Sequence, residues 1–78
     1  MDYDRRKVDQ AVLGLLYLNL HHSGDASRAW KGLDWESLDR LHGRGLIANP
    51  RNKAKSVLLT AEGLDACKSA FDRLFGAS

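Results

Sequence analysis

The chain has 78 residues, 44% of them hydrophobic and 28% charged, with a formal net charge of +2. That length makes one domain, 1–78, with a modest core, and the balance of apolar and charged residues excludes a disordered chain. A single cysteine, Cys67, excludes an internal disulfide and a cysteine-based zinc site.

The opening MDYDRRKVDQ lacks the charged start and apolar core of a signal peptide, and the longest apolar run, Ala11 to Leu18, is too short to span a bilayer. A cytoplasmic protein without membrane contact is expected. Asp4 is placed to cap a helix over 5–21, with Val8, Val12, Leu16 and Leu20 at spacing four and Leu13 and Tyr17 widening the stripe. Gly14 within it costs about 1 kcal/mol against alanine, so either a close helix approach or simple tolerance accounts for it. His21 to Asp25 reads as a polar break with turn chemistry.

A short helix is expected over 26–31, ending at Gly32, and Asp34 caps another over 35–43. Gly43 and Gly45 can take the left-handed conformation that ends a helix. Next, 46–60 reads as an antiparallel hairpin: a short apolar arm, a polar cationic loop from Pro50 to Lys55, and a β-prone arm from Ser56 to Thr60. Thr60 then caps a helix over 61–75, whose apolar face carries Leu64, Cys67, Phe71, Leu74 and Phe75. Gly76 to Ser78 should fray.

The phrases LHGRGLI and VLLTAEG, separated by a basic loop, resemble the end of the recognition helix, the wing and the following helix start in the winged-helix domains of bacterial transcription regulators. With AVLGLLYL at 11–18 and RAWKGLDW at 28–35, the whole chain is similar to a family of small uncharacterised bacterial proteins. The resemblance implies an α+β, winged-helix-like fold of order α-α-α-β-β-α. The helix at 26–31 departs from the pattern, being shorter than the one that normally braces a recognition helix.

Charge is unevenly placed. From Arg40 onward the bases are Arg40, Arg44, Arg51, Lys53 and Lys55, and no acid intervenes before Glu62. These five, with Asn52 at the loop tip, are the candidate nucleic-acid contacts: the cations for phosphates, Asn52 for a groove edge. Ser37, Arg40 and Arg44 share the helix face expected to enter a groove, although Glu36 and Asp39 lie near it. The bland reading is a solvated hairpin whose lysines guard a sheet edge.

Trp30 and Trp35 read as core or interface residues before ligand-stacking ones. His21, His22 and His42 are too few for a metal site, since zinc needs a fourth ligand or an open site with a carboxylate such as Asp25. Cys67, on the apolar face, reads as an inert core thiol. No nucleophile with a positioned base, phosphate-cradling loop or carboxylate pair marks an enzyme, and no cofactor is implied.

Excess apolar surface on so small a chain predicts a homodimer through Leu13, Leu16, Tyr17, Leu20, Phe71, Leu74 and Phe75. Two functions stay open: a small DNA-binding protein, a transcriptional regulator by resemblance, or a protein-interaction module that binds no DNA.

Overall fold

Asp4 turns the chain into its first helix, where its Oδ1 accepts the backbone N–H of Arg6 at 2.9 Å, one of the donors that a helix start leaves unpaired. The structure, a computed structural model, describes residues 2–76. Its elements are α1 (Arg5–Leu18), β1 (Leu20–Ser23), β2 (Ala26–Trp30), α2 (Trp35–Gly43), β3 (Ser56–Leu58) and α3 (Ala61–Phe75). The expected fraying of Ala77 and Ser78 lies outside the described residues.

The architecture is α+β, but the order is α-β-β-α-β-α, with a three-stranded antiparallel sheet in the order β1-β2-β3. The helix expected over 5–21 stops at Leu18 because Asn19 caps it, its side-chain amide donating to the Leu15 carbonyl at 2.9 Å. Leu20 to Ser23 become a strand instead. Gly24, with φ 63°, and Asp25 make a two-residue turn that pairs Ser23 with Ala26. A glycine with positive φ at the first turn position suits the twist of two hairpin strands.

The helix expected over 26–31 is therefore strand β2. Its residues alternate, with Ser27 and Ala29 buried and Trp30 exposed. The hairpin expected over 46–60 forms only in part: β3 pairs with β2, and the first arm is reduced to a bridge between Ile47 and Leu59. Helices α2 and α3 lie where expected.

The join between α2 and α3 explains the two phrases. Gly45, at φ 76°, sends its N–H to the His42 carbonyl while Leu46 N–H reaches Leu41, the paired bonds of a helix end closed by a left-handed residue. The single hydroxyl hydrogen of Thr60 is shared between the carbonyls of Gly45 (2.8 Å) and Leu46 (3.0 Å), and Oγ1 accepts from Gly63 N–H at 3.0 Å. The start of α3 is thus seated on the exit of α2. A Cβ on Gly63 would lie 1.7 Å from the Leu46 carbonyl oxygen, so no other residue fits there without moving backbone.

Helix α1 packs on α2, α3 and β2. Leu13 and Leu16, expected at a dimer face, are buried in this core with Leu38, Leu41, Ile47, Val57 and Cys67. Tyr17, Leu20 and Phe71 are partly buried, the Tyr17 and Phe71 rings 5.2 Å apart, while Leu74 and Phe75 remain exposed. Gly14 does mark a close helix approach, for a Cβ there would lie 2.7 Å from Phe75 Cε2. No helix among the described residues is long and apolar enough to cross a membrane.

The two glycines respond differently to substitution. Gly63→Ala must displace the Leu46 backbone and costs about 2–3 kcal/mol, as overpacking does. Gly14→Ala meets only the end of a half-exposed ring, which can swing aside, and stays within about 1 kcal/mol of the parent. Thermal melts of the two variants check the contrast, and equal losses would refute it.

Candidate nucleic-acid interface

The loop between Ala48 and Ser56 is held from beneath by Lys31, which nothing in the order of residues marks as a contact of this loop. Lys31 follows β2 and is 6% exposed. Its Nζ donates to the carbonyls of Pro50 (2.6 Å) and Asn52 (3.1 Å) and to Asn52 Oδ1 (2.8 Å). All three ammonium hydrogens thus find acceptors, which is how a cation tolerates burial. The ammonium also lies 5.9 Å from the centre of the Trp35 ring.

Asn52, expected at a groove edge, is occupied within the loop. Its Oδ1 accepts from Lys31 and from Ala54 N–H (2.9 Å), and its Nδ2 donates to the Asn49 carbonyl (3.1 Å). It shapes the loop and has little left to read a base with.

The arginines divide in the same way. Arg51 forks onto Asp39, with Nη2 to Oδ2 at 2.6 Å and Nε to Oδ1 at 3.2 Å, and its guanidinium lies 5.4 Å from the Trp35 ring centre. Arg40 forks onto Asp9 of α1, with both bonds at 2.8 Å. Both arginine pKa values are raised by these carboxylates. Burial pushes the Asp9 pKa upward, but hydrogen bonds from Arg40 and Ser37 and the charges of Arg40 and Arg44 outweigh it and hold the carboxyl below its ordinary range.

The face of α2 expected to enter a groove therefore turns towards α1. Ser37 is fully buried, Arg40 spans to Asp9, and Arg44 lines a cleft of about 450 Å³ with Arg6, Asp9, Gln10 and Arg40. What α2 presents outward is Trp35, Glu36, Asp39 and His42. Glu36 on that face opposes insertion into a groove lined by phosphates, while the charge of Asp39 is taken up by Arg51. Arg44, Lys53 and Lys55 are exposed and, among the described residues, form no salt bridge.

Trp30 and Trp35 do not close the core: they are 51% and 44% exposed. Trp30 covers Gly32, whose absent side chain leaves room for the ring, with a Cβ position 2.1 Å from Trp30 Cζ2. Cys67 is fully buried and its thiol is pushed up to about 12 by desolvation. At that value almost none is present as the reactive thiolate near neutrality. His21 and His22 lie on β1, while His42, at the end of α2, bonds the Ile47 carbonyl through Nδ1 at 3.1 Å.

The chain belongs to a bacterial family defined by a domain of unknown function, DUF6429, whose model matches residues 4–77. It is 53% identical over 75 residues to the uncharacterized protein y4hR of Sinorhizobium fredii (strain NBRC 101917 / NGR234), with 96% of this chain and 97% of that relative covered. No solved structure matches significantly.

Lys31→Met keeps the length of the side chain and leaves three loop acceptors without their donor. It should cost about 1–3 kcal/mol and speed hydrogen exchange at the amides of 51–55, while amides of α1 and α3 exchange only as global stability dictates. Unchanged exchange in the loop would show that Lys31 does not hold it.

Proposed function

We propose that this protein contacts DNA through the phosphate backbone rather than by reading bases, with Lys53 and Lys55 as the principal contacts and Arg44 as a third. The observation that carries this reading is the placement of free charge. From Arg44 to Thr60 there is no acid, Arg51 is spent on Asp39, and the exposed lysines on the stapled loop form no salt bridge among the described residues. A loop fixed from below by Lys31 loses less freedom on binding than a slack one, which favours affinity. The winged-helix resemblance supports the same reading, with the loop as wing, and a regulatory role follows from the resemblance alone.

Fluorescence anisotropy with random-sequence duplex DNA at two salt concentrations tests it. Two or three phosphate contacts give a log–log salt slope of about −2 to −3. Lys53→Glu with Lys55→Glu should abolish binding and leave the thermal melt unchanged. Absence of binding at low salt would defeat the proposal.

A second reading, a protein-interaction module, rests on exposed apolar side chains: Trp30, Trp35, Leu18, Leu74 and Phe75. Half-exposed tryptophans are favoured anchors in protein interfaces. On this reading a second copy covers Leu74 and Phe75 to make a homodimer. Light scattering at micromolar concentration should give twice the 8.7 kDa chain mass, and a monomer mass would remove the dimer.

A further inference from the structure

The geometry points to a small-anion site in the cleft between α1 and α2, where Arg6, Arg40 and Arg44 hold the phosphate group of a small phosphorylated molecule. Three guanidiniums and a single carboxylate line this cleft of about 450 Å³. That volume falls within the range of small-molecule sites. The carboxylate, Asp9, is 5% exposed, and both of its oxygens are taken by Arg40 at 2.8 Å. Its charge is therefore spent on aiming an arginine.

Arg40 is held from two sides, because its Nη2 also reaches Ser37 Oγ at 3.2 Å, and that hydroxyl is anchored on Asp34 at 3.0 Å. Nη1 is left with only a 3.9 Å approach from Glu36. A guanidinium fixed through Nε and Nη2 keeps its remaining donors for an anion and needs little reordering to bind one. Arg6 and Arg44 form no salt bridge among the described residues. Gln10 Oε1 accepts from Arg73 of α3, which leaves the Gln10 amide hydrogens as further donors at the cleft. Among the described residues, the acids that act on Arg40 are Asp9, already paired, Glu36 at 3.9 Å from Nη1, and Asp34, which is taken up by the α2 cap and the Ser37 hydroxyl.

The cleft is distinct from the proposed DNA contacts. The cleft lies on the α1 side of α2, whereas the loop bearing Lys53 and Lys55 is tied to the Trp35 and Asp39 side through Arg51. Only Arg44 is common to both.

Isothermal calorimetry with inorganic pyrophosphate, at an ionic strength fixed with chloride, tests it on the full chain. The parent should bind one equivalent saturably. Arg6→Gln with Arg44→Gln, both at exposed positions, should weaken binding at least tenfold with the circular dichroism melt preserved, and the Lys53→Glu, Lys55→Glu variant should bind as the parent does. Heats no greater than those of chloride, equal loss in both double variants, or indifference to the Arg6 and Arg44 changes would each overturn the site. Duplex DNA forms the second arm. If it binds in the parent and the Arg6 and Arg44 changes abolish that binding while pyrophosphate never binds, the cleft takes its phosphate from a nucleic-acid backbone and the small-molecule assignment is wrong. Should pyrophosphate bind and DNA not, the cleft stands and the DNA reading falls.

Discussion

The seat of α3 on the exit of α2 is the constraint from which the rest of this fold follows. Gly63 lets one helix start where a Cβ would occupy the Leu46 carbonyl, and Thr60 ties both chain segments with one hydroxyl. Because Thr60 closes β3 and Leu46 opens the path to Ile47, the same contact fixes where the Ile47 to Leu59 bridge forms. It also sets the length of the loop between them. That loop can then be positioned from below by Lys31, and α3 runs back along α1 to bury Cys67 and Ala70.

How much was legible in the sequence depended on whether the signal was local. Asp4, Asp34 and Thr60 cap helices because a short polar side chain meets the next turn's N–H groups, a relation set within three residues. The left-handed residue at Gly45 belongs to the same class. Strands β1 and β2 are hard to read for a physical reason: Leu20 continues the spacing-four stripe of α1, His21 to Ser23 are polar and exposed at a sheet edge, and ASRAW carries small residues that suit a helix turn as well as a strand. Gly24-Asp25 was the available clue, a turn pair that fits a two-residue hairpin. The first arm of the 46–60 hairpin shrinks to one bridge because apolar character at Leu46 and Ile47 serves core burial more than strand pairing.

The site was less legible than the fold, because charge pairing is a long-range property. Nothing in the order of residues marks Asp9 as the partner of Arg40 or Asp39 as that of Arg51. Those two pairs remove the arginines from a contiguous basic stretch and leave Arg44, Lys53 and Lys55. The same blindness hid Lys31, whose burial depends on acceptors some twenty residues away. It also placed the tryptophans in a core that Leu, Val, Ile and Cys fill without them.

Family membership fixes kinship and leaves chemistry to the surface, and the proposed DNA contact rests on the exposed cations of the stapled loop. The most direct measurement is a 1H–15N correlation spectrum of the labelled protein titrated with a short duplex at low salt. The account predicts shifts concentrated at the amides of Arg44 and of 51–55, with the Trp30 and Trp35 indole signals unmoved. Shifts confined to the indoles or to the end of α3, or none at all, would contradict it.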